Sequence, residues 1–164
     1  MIKRLFFFFF YALIFTCSAF ADPTQDGLDP LQAGDAQAAY ATWLPLAEKG
    51  NAIAQFNIGL LFYNGAGVEQ NFEQALFWLH KAAKQGDAPA INSIGWMYFV
   101  GDGVEVDYRY AKNMFTKAAH KGDVNAMNNL GAMYARGLGT AVNYSKAFHW
   151  YSRSAKINDP NGLV

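Results

Sequence analysis

A recurrence at 36 residues constrains this chain more than any other feature. Gly59, Gly95 and Gly131 fall at that spacing, as do Gly65, Gly101 and Gly137, Gly67, Gly103 and Gly139, and Ala75, Ala111 and Ala147. A fixed period of this length marks an array in which each unit is one supersecondary element and neighbours stack to complete a core.

Each unit reads as a pair of helices. Asn51, Asp87 and Asp123 stand where a short polar side chain can accept from the orphan N–H groups of a first helix. That helix runs to Tyr63, Phe99 and Ala135, and the glycines at 65, 101 and 137 stop it by accepting positive φ. A short link leads to a second set of caps, Asn71, Asp107 and Asn143, and the second helices close at Gly50, Gly86 and Gly122.

Gly59, Gly95 and Gly131 lie inside the first helices, where glycine costs about 1 kcal/mol relative to alanine. The expected reason is a close crossing of the two helices of a pair, with Ala82-Ala83, Ala118-Ala119 and Ser154-Ala155 as the small facing surface. Phe72, Tyr108 and Tyr144, with Trp78, Met114 and Trp150, are expected to fill the space beside it.

These signals divide the chain into units at 51–86, 87–122 and 123–158. The segment 22–50 holds a partial unit with a capping helix over 35–49, which Pro45 should kink because its ring clashes with the preceding turn. A stub at 159–164 begins another cap at Asp159.

The first 21 residues have a different character. Lys3 and Arg4 precede an apolar run from Leu5 to Phe15, and Ala19-Phe20-Ala21 offers small residues for a peptidase, so residues 1–21 read as a cleavable signal peptide. The run is too short for the roughly 20 apolar residues that span a bilayer. The residues before Cys17 also lack the Leu and the small residue of a lipidation site.

Cleavage leaves 143 residues, 11 basic against 13 acidic side chains, and no cysteine. Disulfides, thiol catalysis and cysteine-ligated zinc are then excluded. The charge balance argues against a chain held to nucleic acid by its overall field, and no stable membrane span is expected after cleavage. The expected location is the periplasm or the exterior of the cell.

The units share the pattern Leu-Gly-x-x-Tyr-x-x-Gly-x-Gly-Val followed by Ala-x-x-Trp-Tyr-x-x-Ala-Ala-x-x-Gly. Ile94, Gly95, Tyr98, Gly101, Gly103, Val104, Ala111, Ala118, Ala119 and Gly122 carry it in the middle unit. This pattern resembles the Sel-1-like repeat, a relative of the tetratricopeptide repeat. Met114, Thr140, Ser154 and Asn158 depart from the usual residues and suggest a slightly irregular last unit.

The resemblance implies an all-α fold, a right-handed α-solenoid of stacked helix-turn-helix repeats with about three and a half units. It also implies a bacterial protein that binds proteins or peptides in the envelope or in host contact, without a cofactor. Regulation of envelope stress or assembly through binding is the alternative role.

One first-helix face varies where the others recur: Ile53, Phe56, Leu60 and Tyr63, then Pro89, Asn92, Trp96 and Phe99, then Asn125, Asn128, Ala132 and Ala135. Trp96 and Phe99 beside polar amides have the makeup of a peptide groove. The candidate partner-binding face is Asn57, Leu60, Tyr63, Asn92, Trp96, Phe99 and Asn129, with packing inside the inter-repeat core as the alternative role for both aromatics. The first set is expected to lie under the helix at 35–49. Self-association through the C-terminal end is a further expectation, because terminal repeats normally need a polar outer face.

Enzyme readings fare worse. His80, His120 and His149 share a helix face but lie in different units, and no His-Glu-x-x-His spacing occurs. Glu69, Asp102, Glu105 and Asp107 sit in glycine-containing links, where capping and solvated roles are ordinary. The Ser-x-x-Lys motif of β-lactam hydrolases is absent, and the Gly-x-Gly links lack the Gly-Lys-Ser/Thr of a phosphate loop. Neither catalytic residues nor a metal are expected, and a hydrolase with an unrecognised site is the residual alternative.

Overall fold

A computed structural model describes residues 27–158. The proposed leader at 1–21 and the stub at 159–164 lie outside these described residues. The described residues form eight α-helices in series: α1 (Leu28–Gln32), α2 (Ala36–Glu48), α3 (Ala52–Asn64), α4 (Phe72–Lys84), α5 (Ala88–Val100), α6 (Tyr108–His120), α7 (Val124–Arg136) and α8 (Tyr144–Asn158). Each helix packs on its neighbours in the chain, which is the topology of a solenoid.

The ends of the helices follow from side-chain chemistry. Asn51, Asp87 and Asp123 accept from the N–H groups of Ala54, Ala90 and Ala126, and Asn71, Asp107 and Asn143 do the same for Gln74, Tyr110 and Lys146. Gly65, Gly101 and Gly137 take left-handed φ values of 67°, 85° and 70° and stop the first helices. The cap N–H of Asn71, Asp107 and Asn143 donates to Phe62, Tyr98 and Tyr134, so all three links close in the same way.

The interior glycines do mark close crossings within a pair, though against different residues from those expected. A Cβ on Gly59 would stand 2.9 Å from Leu79, one on Gly95 2.9 Å from Phe115, and one on Gly131 2.7 Å from Tyr151. The large side chain at 79, 115 and 151 lies over the glycine, and the alanine pairs lie a turn further along. Which residue of the second helix meets a given residue of the first depends on the crossing angle, which spacing alone does not supply.

The second glycine of each link joins one unit to the one before it. Gly67, Gly103 and Gly139 have φ of 69°, 74° and 64° and lie against Ala36, Phe72 and Tyr108, the first residues of α2, α4 and α6. Those three contacts are again 36 residues apart. Gly-x-Gly is therefore a helix stop followed by an inter-repeat contact.

The core falls into two buried clusters. One gathers Ala39, Trp43, Ala47, Ala54, Ile58, Leu61 and Trp78, and the other runs from Ala75 and Leu79 through Ile94, Phe115 and Leu130 to Trp150. Near the first, the buried Gln55 donates to the Ala47 carbonyl and accepts from Gln85, which also donates to the Gly50 carbonyl. This polar contact ties α2, α3 and α4 together.

One expectation needs correction, that for Tyr144. The α2 helix runs on through Pro45 to Glu48. Pro45 stands in the last turn, so one lost bond to the Ala41 carbonyl is tolerated there. Tyr144 does not fill space within its pair: it is 73% exposed, whereas its counterparts Phe72 and Tyr108 each lie under the glycine of a following link.

Candidate partner-binding face

The first helices α3, α5 and α7 bring most of the candidate residues together across unit boundaries. Tyr63 donates from its hydroxyl to Asp102 Oδ2 at 2.8 Å, and its ring lies 5.6 Å from that of Phe72. Burial, with the Asp102 carboxylate beside it, pushes the Tyr63 hydroxyl above the ordinary phenol range, and the neighbouring Trp96 indole offsets part of that shift. Tyr63 of the first unit thus meets Trp96 and Asp102 of the second.

Trp96 stacks on Phe99 with ring centroids 5.6 Å apart and planes within 23°. Phe99 in turn meets the rings of Tyr108 and Phe115. Both residues are half-buried, each with one flank on the main core. They pack on the inter-repeat core with one flank and keep the other at the surface.

Asn92 is almost wholly buried and accepts at Oδ1 from Asn129 Nδ2 at 3.1 Å. This bond joins the second and third units on the same face as Trp96. Asn129 is half-buried, and its second amide hydrogen and Oδ1 carry no other side-chain bond among the described residues. Asn57 and Leu60 are half-buried without a polar contact to this cluster. Phe56 packs on the core, but Ile53 is exposed, so the capping helix does not cover the whole first set.

Asp102, read from sequence as an ordinary link residue, is the partner that holds Tyr63. The only signal for it was a separation of 39, one repeat plus three residues. Ser93, which takes the place of Asn57 and Asn129 in the middle unit, is buried with its hydroxyl unpartnered. Position alone does not reveal that.

The histidines are dispersed. His120 and His149 both lie edge-on to Trp150, at 5.6 and 5.3 Å. His80 sits on α4, where burial and the Lys84 charge lower its pKa. Among the described residues no three His, Cys, Asp or Glu side chains gather in a metal-binding group, and no helix is long and apolar enough to cross a membrane.

Stacked helix pairs joined by Gly-x-Gly contacts define an all-α repeat solenoid with an aromatic and amide face on its first helices. The Sel1 repeat model matches residues 52–87, 88–123 and 124–159, and the chain belongs to the Sel1 repeat family. Solved structures agree. A Sel1 repeat protein from Oxalobacter formigenes superposes with a TM-score of 0.75 at 28% identity, over 83% of this chain and 57% of that one. The protein c5321, a protective antigen present in uropathogenic Escherichia coli strains, superposes with a TM-score of 0.76 at 35% identity, over 85% of this chain and 31% of that one.

This chain thus spans a little over half of the first relative and about a third of the second. Helicobacter pylori cysteine rich protein B shares the fold, with a TM-score of 0.56 at 20% identity, over 87% of this chain and 96% of that one. No curated protein matches the sequence. Repeats of this family generally serve as protein-binding scaffolds.

Proposed function

We propose that this chain is an exported interaction module that binds an extended peptide segment of an envelope or host protein. The segment lies along the first-helix face between α3, α5 and α7. The observation that carries this reading is the Trp96–Phe99 stack beside the Asn129–Asn92 bond across a unit boundary. The stack offers a fixed apolar wall for one side chain, and the half-buried Asn129 offers a donor and an acceptor to the main chain next to it.

Export rests on the pattern of residues 1–21 and places the mature chain in the periplasm or outside the cell. A related solenoid that is a protective antigen of uropathogenic E. coli supports contact with a host.

The test is to replace Trp96 and Phe99 singly by Ala and compare partner capture with that of the wild type. Each variant is first checked for retained helicity by circular dichroism. Folded variants that lose the partner support the reading, and folded variants that capture it undiminished refute it.

A further inference from the structure

Among the described residues, α8 has a bare face whose counterparts on α4 and α6 are covered. In α4 the residue Phe72 lies under the next link at Gly103, and Leu76 packs on the core. In α6 the residue Tyr108 lies under Gly139, whose carbonyl accepts from Lys112 at 3.2 Å. The same positions of α8 are Tyr144, 73% exposed, and Phe148, 74% exposed.

One turn on, Leu79 and Phe115 are wholly buried while Tyr151 is 42% exposed. Tyr144, Phe148, Tyr151 and Ala155 follow i, i+4, i+7 and i+11 and so form one stripe. Elsewhere in this array the start of that stripe lies under the link of a following unit, while Tyr151, like Leu79 and Phe115, also lies over the glycine of its own pair.

Charge is segregated along the same axis. Residues 31–80 carry four acidic side chains against Lys49, and residues 109–158 carry eight basic ones against Asp123. In a solenoid, order along the chain is order along the axis, so the two ends have opposite sign. The α8 helix itself has Lys146, Arg153 and Lys156 and no acid.

We propose that the stripe on α8 docks on the leading end of a second copy of this chain, so that the protein associates head to tail. The leading end supplies what α8 lacks. Its α1 stands in the place of a first helix, half-buried Leu28 and Leu31 lie on it, and Ala33 and Gly34 are exposed and small enough to receive aromatic rings. Asp35 beside them adds an exposed carboxylate. Tail-to-tail pairing would oppose like charges, and so would head-to-head, which leaves the heterologous contact as the favoured one.

Sedimentation of the mature chain across a concentration range tests this with two blocked variants. Phe148→Asp blocks the tail at an exposed site. Ala33→Arg combined with Asp35→Asn blocks the head while keeping a capping side chain at 35. The wild type should gain mass with concentration and lose that gain in high salt, and each variant alone should associate at least about tenfold more weakly.

Mixed together, the two variants should form a one-to-one heterodimer and nothing larger, because each mixture retains one intact head and one intact tail. A wild type that stays monomeric at every concentration overturns the proposal. So does a mixture that fails to pair while the wild type associates, which would mean an isologous contact. Loss of association on deleting residues 159–164 would give the stripe to that segment instead, and binding of a monomeric wild type to anionic phospholipid vesicles through Phe148 would give it to a membrane surface.

Discussion

The three interior glycines occupy one repeat position, yet their replacement by alanine should not have one outcome. Alanine at any of them gains about 1 kcal/mol of helix propensity. At Gly95 the new Cβ would stand 2.9 Å from two ring carbons of Phe115 and 3.0 Å from the Met114 Cβ. Phe115 is wholly buried and has nowhere to retreat, so an overpacking cost of about 2 kcal/mol applies. Gly95→Ala should therefore lose about 1 kcal/mol net, a fall in melting temperature of about 3 °C.

At Gly131 the Cβ would meet the Tyr151 ring at 2.7 Å, a closer approach on paper. Tyr151 is 42% exposed and can swing outward, so Gly131→Ala should keep most of the gain of about 1 kcal/mol. Thermal unfolding followed by circular dichroism reads both variants against the wild type. If Gly131→Ala destabilises as much as Gly95→Ala, freedom of the facing side chain does not decide the sign. If both variants stabilise, the glycines are not there for close packing.

Three further outcomes follow from the geometry. Gly103→Ala should cost about 2 kcal/mol, because a positive φ is unfavourable with a Cβ and that Cβ would run into Phe72; denaturant titration should show a lower midpoint. Burial raises the pKa of the Asp87 and Asp123 carboxyls. A raised folded value means that the stability they contribute is present at low pH and lost as pH climbs from their unfolded value through the folded one. The pair Asp87→Asn and Asp123→Asn, which keeps both caps, should therefore show a smaller loss of melting temperature between pH about 4 and about 7 than the wild type. Asn129→Ala should cost about 1 kcal/mol by leaving the buried Asn92 oxygen without its donor, measurable by the same titration.

The pattern of gains and misses has a physical logic. Caps at Asn51, Asp87 and Asp123 and stops at Gly65, Gly101 and Gly137 are local chemistry, so the sequence alone revealed them. Tertiary facts were less legible. Asn92 stands at a variable position whose equivalents, Phe56 and Asn128, are half-buried and exposed, yet it is buried and accepts from Asn129 of the next unit. The Tyr63–Asp102 bond likewise joins one unit to the next. Repetition shows which residues are alike, while stacking decides which of them meet.

The same reasoning accounts for Trp96 and Phe99. Aromatic spacing along α5 could not separate a core position from a surface one, because this first helix has one flank on its partner and one at the surface. The stack at 5.6 Å, anchored on Phe115 and Tyr108, fixes the two rings without hiding them.

The most direct test of the binding face is a photoactivatable crosslinking residue placed at position 96 in the chain expressed in its native cell, with the exposed position 73 on α4 as its control. The account predicts a discrete protein adduct from position 96 and none from position 73. Equal labelling from both positions, or an adduct from 73 alone, would contradict it.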